Sequence, residues 1–256
     1  PGAKRRRSSV GYGGRSYVPR GPKYVAPVAR YRKKVPKSVR SYVRSAISRS
    51  LETKRAFVNA SNANVYADIT SGVCYSCVPA IGQGTTQGTR TGNCIELKSV
   101  TLRMMVMAQL SAAAPLYCDV YVFRRKPNAV ITTIDQNFLQ AGSTSIGYDG
   151  DVYAYSGLLA VNDDLYEGLY KRRIKIWNPN NTANQGVQAS IDPTFSLVID
   201  VGKYMKKKVM YNDATTTPTS DDVYFAVATT YATGASSGGA VTATMTYVLE
   251  AEYTDA

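Results

Sequence analysis

The sequence predicts an all-β protein: a single eight-stranded jelly roll, two four-stranded antiparallel sheets face to face, preceded by a basic N-terminal arm. Three observations lead there. The first 50 of 256 residues hold fifteen Lys or Arg and no Asp or Glu. From Thr53 onward the text breaks into eight runs rich in Val, Ile, Tyr, Thr and Phe, separated by polar, Gly-rich stretches. Helical periodicity is confined to one short segment between the two. Eight is the strand count of a jelly roll, although pattern alone leaves another eight-stranded sandwich or barrel open.

The arm, residues 1–36, is built from Gly, Pro, Ser, Tyr, Arg and Lys with no sustained apolar period. Such a segment buries too little surface to offset its ordering entropy, so it is expected to be disordered when alone. The chain's formal charge of +13 divides into +15 on residues 1–50 and −2 on the rest, where sixteen basic residues meet eighteen acidic ones. A basic tail on a nearly neutral body points to a polyanionic partner, nucleic acid or an anionic membrane. Lys4, Arg5, Arg6, Arg7, Arg15, Arg20, Lys23, Arg30, Arg32, Lys33 and Lys34 are the expected phosphate contacts of the arm. Tyr12, Tyr17, Tyr24, Tyr31 and Tyr42 alternate with the cations, as stacking on unpaired bases requires.

Residues 37–52 are expected to form a short basic amphipathic helix. Val39, Val43, Ile47 and Leu51 recur every fourth position, with Lys37, Arg40, Arg44 and Arg49 elsewhere. Such a helix suits a protein surface on one side and a polyanion on the other; it also suits an anionic membrane surface. Lys54 and Arg55, where the arm enters the body, complete the expected nucleic-acid-binding set.

The body, residues 53–256, carries the strand runs 55–69, 95–110, 116–125, 169–177, 194–202, 208–212, 223–231 and 241–253. Turn-rich stretches lie between them, the longest from Pro127 to Asp164. Two basic clusters flank strands, Arg124-Arg125-Lys126 and Lys206-Lys207-Lys208. Either faces a polyanion or guards a strand edge against aggregation.

Catalytic chemistry finds no footing. The chain has no histidine, which removes Ser-His and Cys-His nucleophile activation. Gly82-Gln83-Gly84 and Gly11-Tyr12-Gly13-Gly14 lack the context and the lysine of a phosphate-binding loop. The pairs Asp163-Asp164 and Asp221-Asp222 read as loop acids or as oxygen donors to an interfacial calcium ion. Cys74, Cys77, Cys94 and Cys118 read as small buried apolar residues, with a four-thiolate zinc site as the alternative. No enzyme activity, cofactor or metal is expected. No run of about eighteen apolar residues spans a membrane. The N-terminal stretch lacks a secretory apolar core, and Gly11, Gly13, Gly14, Pro19, Gly21 and Pro22 oppose a mitochondrial presequence helix.

Several segments, in order, carry a resemblance. Ile81-Gly82-Gln83-Gly84-Thr85 followed by Arg90-Thr91-Gly92-Asn93-Cys94-Ile95-Glu96-Leu97-Lys98-Ser99-Val100 resembles the "QGT…RxGNxI…LKS" segment of coat proteins from small circular single-stranded DNA viruses that encode a replication initiator (Rep), the circovirus-like group. Leu169-Tyr170-Lys171-Arg172-Arg173-Ile174-Lys175-Ile176 resembles that family's basic mid-chain strand, Val209-Met210-Tyr211-Asn212 its "VxYN" strand, and Tyr253-Thr254-Asp255 its "YTD" ending. The resemblance implies a jelly-roll capsid protein, sixty copies in a T=1 icosahedral shell, and an internal arm that neutralises the genome. An arm rich in Gly and Tyr and a long 127–164 insertion depart from the family pattern.

The expected function is therefore a viral structural protein of the virion that self-assembles as a homo-oligomer and packages single-stranded DNA. Its alternatives are an RNA satellite-type coat protein and a non-viral, sequence-independent nucleic-acid-binding β protein. Lys4-Arg5-Arg6-Arg7 and Arg30-Tyr31-Arg32-Lys33-Lys34 double as nuclear localisation signals for host import machinery, placing assembly in the host nucleus, or serve packaging alone. The sequence does not name a host receptor.

Overall fold

The computed structural model describes residues 37–50, 52–109, 115–150, 155–177, 193–219, 222–232 and 241–255. The chain divides into two compact units, Pro1–Ala46 and Ile47–Ala256. The expected arm, residues 1–36, lies outside the described residues. Residues 37–50 form one helix, α1 (Lys37–Ser50), on which Val39 and Val43 lie one turn apart and half exposed.

The body is antiparallel β throughout. Its strands are β1 (Lys54–Val65), β2 (Cys74–Ser76), β3 (Cys94–Ala108), β4 (Leu116–Arg125), β5 (Leu139–Ala141), β6 (Thr144–Ile146), β7 (Ala160–Val161), β8 (Tyr166–Ile176), β9 (Thr194–Asp200), β10 (Lys208–Met210), β11 (Val223–Tyr231) and β12 (Ala243–Asp255). One sheet runs β1–β12–β3, with β9 and β10 both pairing along the far edge of β3; the other runs β2–β11–β4–β8. Successive strands of the sandwich alternate between the two sheets, except that β8 follows β4 in the same sheet and β10 follows β9 on the same edge. Two four-stranded layers wound in this order are a jelly roll.

The strand count matches the expectation by a different route. Runs 194–202 and 208–212 are one edge interrupted by a turn. The eighth strand is the three-residue β2, which is too short to show an alternating pattern. A second correction concerns 127–164, which reads as a loop. It holds a helical turn (Ile134–Asn137), preceding the small sheet β6–β5–β7, and a core of its own.

That insertion explains a feature of the strands. β4 and β11 are buried on both faces. Cys118, Val120, Val122, Phe225 and Val227 point between the sheets to meet Leu102, Val106, Met245 and Leu249. Tyr121, Phe123, Ala226 and Ala228 point outward, under Ile134, Phe138, Tyr148 and Tyr166. Phe138 sits edge-on to Tyr121 and Phe123 at 5.2 and 5.0 Å, within the range of favourable aromatic pairs. Because β4 and β8 are neighbours in one sheet, the chain between them falls naturally over that sheet's outer face.

Strand irregularities keep the pattern in phase. In β3 the buried positions are Ile95 and Leu97, then Val100, Leu102 and Met104. The pairing with β12 shifts there, from Tyr253↔Leu97 to Glu252↔Ser99, so Lys98 is the extra residue of a bulge. One bulge turns both halves of the strand inward. A second bulge, in β1, places Asn62 at φ 56°, a left-handed conformation that asparagine tolerates.

Candidate nucleic-acid interface

Lys4, Arg5, Arg6, Arg7, Arg15, Arg20, Lys23, Arg30, Arg32, Lys33 and Lys34 fall outside the described residues. Lys37 and Arg40 are exposed on α1. Arg44 and Arg49 lie on the same helix, their side chains outside the described set.

The two junction residues differ: Lys54 is buried and engaged by the fold, whereas Arg55 stays exposed. Lys54 is 7% exposed, and its ammonium donates to Asp255 Oδ2 at 2.8 Å and to the Thr89 carbonyl at 2.9 Å. Asp255 also accepts from the backbone N–H and the hydroxyl of Thr91, at 3.1 and 2.8 Å. Partial burial pushes the Asp255 carboxyl up, but the hydrogen bonds from Lys54 and Thr91 outweigh it and hold the group below its ordinary value. This clasp ties the start of β1 to the end of β12 and engages the Lys54 ammonium within the body. Arg55 is exposed but meets Glu252 at 2.7 Å across the same strand pair.

The motif residues of the 81–93 segment converge on Arg90, a fully buried arginine. Its Nε donates to the Ile81 carbonyl. Nη1 donates to the Gly92 carbonyl and Asn93 Oδ1, and Nη2 to the carbonyls of Asn212 and Thr215, at 2.6 to 3.3 Å in all. All five guanidinium N–H groups are thus used, and the group lies 4.6 Å from the centre of the Tyr211 ring. Asn93 further donates to Asp213. The acceptors are carbonyl and amide oxygens, so the cation staples two loops together.

The basic clusters of the body meet at one end of the sandwich. Arg124 pairs with Glu167 at 2.5 Å and donates to the Tyr204 carbonyl. Lys126 donates to the Asp163 carbonyl, and Lys206 pairs with Asp222 at 3.2 Å. Of the acids in the expected pairs, Asp222 is paired with Lys206, whereas Asp163 and Asp164 engage through their backbone, the Asp163 carbonyl accepting from Lys126 and the Asp164 N–H donating to Asn162 Oδ1 in a turn. Asp221 lies outside the described residues.

The sequence did not point to a buried network on the outer face of β4. Asp119 is fully buried and stands directly opposite Arg173 in the β4–β8 register. Arg173 grips it with Nε and Nη2 at 2.8 and 2.7 Å, and Tyr148 donates to it at 2.7 Å. Burial, and then the Asp119 charge, push the Tyr148 hydroxyl well above its ordinary range. A Cβ on Gly157 would stand within 1.9 Å of both Arg173 Nη2 and Asp119 Oδ2, so only glycine lets the insertion close over this pair. An acid inside the apolar run Leu116–Arg125 was the available signal.

Cys77 and Cys118 belong to the core between the sheets, whereas Cys74 packs against the outer cluster. Burial pushes the Cys74 thiol up to about 12. Placed on opposite faces, Cys74 and Cys77 serve separate cores.

No family model and no curated protein matches the chain. Among solved structures, a chain from Desmodium yellow mottle tymovirus is similar at a TM-score of 0.36 and 8% identity, covering 97% of this chain and 96% of that one. The jelly-roll assignment rests on strand order and register, and that likeness adds nothing to it.

Proposed function

We propose that this chain is the coat protein of a small icosahedral virus, a structural subunit that assembles with copies of itself and packages single-stranded nucleic acid, DNA in preference to RNA, through its N-terminal arm. The observation that carries the reading is a jelly-roll body of net charge −2 joined to a segment of fifteen cations and no acids. The resemblance of the 81–100, 169–176, 209–212 and 253–255 segments to circovirus-like coat proteins supports it and favours DNA.

Mechanistically the work divides. The body supplies a rigid block whose faces bury against neighbours. Lys4 to Arg49 supply charge for phosphate contacts, reaching backbone rather than base edges. Sixty copies in a T=1 shell would bring roughly 900 arm cations, suited to a genome on the order of one to two thousand nucleotides with counterions covering the rest. Lys4–Arg7 and Arg30–Lys34 serve nuclear entry on the same reading, with the virion as the final location.

Negative-stain imaging of purified full-length protein tests this. Closed particles of uniform diameter that carry absorbance at 260 nm are expected. Monodisperse monomers or dimers would favour a non-viral nucleic-acid-binding protein.

A further inference from the structure

We propose that the body carries a second polyanion site, a cleft at the end of β4 that seats the phosphodiester backbone of single-stranded nucleic acid. The choice of ligand rests on the packaging role argued above. Arg124, Arg125, Lys126, Lys206, Thr219 and Asp222 line a cleft of about 410 Å³. Sequence separates the two cationic groups by some eighty positions, and folding brings them to one opening. Among the described residues, four cations stand there against two carboxylates, Asp222 and Glu167.

The cleft is built rather than incidental. The backbone N–H of Arg125 donates to the Asp222 carbonyl at 2.7 Å, and that of Lys126 to the Leu165 carbonyl at 2.9 Å, so the cationic segment is pinned on both sides. Arg124 is braced by Glu167 and the Tyr204 carbonyl, which fixes one wall. Arg125 forms no ion pair among the described residues. Lys206 is 66% exposed and reaches Asp222 at only 3.2 Å. An ion pair made by so exposed an ammonium is worth little, so exchanging Asp222 for a phosphate costs little. A guanidinium fork and an exposed ammonium across an open cleft suit an oxyanion on a flexible polymer.

Position argues for nucleic acid over a sulfated glycan. Register links Arg124 to Val223, Lys208 to Glu96, Ile95 to Asp255 and Lys54 to Tyr253. The cleft is therefore at the end of the sandwich where β1 begins, and the sequence that precedes β1 carries charge of the same sign.

The test measures affinity of the full-length protein for a fluorescent oligothymidylate of about twenty nucleotides across a sodium chloride series. Single-stranded ligands give a log–log slope of roughly −0.7 per neutralised phosphate. The variant Arg125→Ala/Lys206→Ala is expected to have a slope shallower by about 1.4. The control Arg172→Ala/Lys175→Ala, which removes two exposed cations from β8, should keep the wild-type slope. Crosslinking of a 5-bromouracil-substituted oligonucleotide should map to peptides containing Arg125 and Lys206. A steep wild-type slope left unchanged in the cleft variant overturns the site while leaving the arm's role standing. So does an unchanged slope with weaker retention on heparin, which would assign the cleft to glycans. A shallow wild-type slope overturns the arm's role and this site with it.

Discussion

Arg90 lays its guanidinium 4.6 Å from the centre of the Tyr211 ring while donating to the carbonyls of Asn212 and Thr215. The two residues belong to motifs about 120 positions apart, and the fold makes them one object. Around them, the Ile81 N–H donates to the Thr216 carbonyl and the Tyr211 N–H to the Asn93 carbonyl. Motifs that mark a resemblance thus owe their composition to a loop clamp. Arginine alone combines five donors, a planar face and a permanent charge.

Removing that clamp should be costly. Arg90→Ala leaves several buried carbonyls without donors, and we expect a loss of about 3–4 kcal/mol in urea unfolding. Arg90→Lys should recover little of this, since an ammonium supplies three donors and no stacking face. A loss under about 1 kcal/mol for the alanine variant would show that the loops hold without it.

The Asp119–Arg173 pair predicts a non-additive cycle. Arg173→Met strands a buried carboxylate and should cost about 3–5 kcal/mol. Asp119→Leu/Arg173→Met removes both charges and should be less damaging than Arg173→Met alone. Additive losses in a double-mutant cycle would mean that the two side chains do not depend on each other.

The Lys54–Asp255 clasp carries a pH signature. The Asp255 carboxyl is lower in the folded chain than in the unfolded one, where it titrates near 3.9. Its contribution is thus full above about pH 5 and is lost as pH falls through the lower folded value. Lys54→Ala should reduce stability at pH 7, flatten the fall in stability below about pH 4, and leave the salt slope for oligonucleotide unchanged. A shallower salt slope in that variant would return Lys54 to the nucleic-acid contacts.

Architecture was legible where alternation is long. β4 and β11 carry the bounds their patterns predict, because β-branched and aromatic residues dominate both, broken in β4 by Asp119 and closed by Arg124-Arg125. β2 was hidden because three residues carry no period, although it occupies a sheet edge. The insertion was hidden for a different reason: its order comes from aromatic side chains spaced irregularly along 129–166, packing on Tyr121 and Phe123. Among site residues, sequence marks a cation but not its engagement. Lys54 and Arg125 look alike in the text, yet one is clasped by Asp255 and the other opens on a cleft.

Deleting residues 1–36 removes eleven of the fifteen N-terminal cations and leaves every core residue identified among the described residues. Circular dichroism of the truncated protein should retain the β spectrum, while most of the nucleic-acid absorbance at 260 nm in the purified material is lost. Loss of the β spectrum would move the boundary of the body upstream of residue 37.

The most direct test of the capsid reading is sedimentation of the full-length protein with matched absorbance at 260 and 280 nm across a salt series. Phosphate contacts by the arm weaken with salt, whereas apolar contacts between bodies do not. A single fast-sedimenting species of shell size should persist at salt concentrations where an arm peptide has already released its oligonucleotide. Particles that dissolve together with the peptide complex, or slow species at every salt, would contradict a shell held by its jelly-roll bodies.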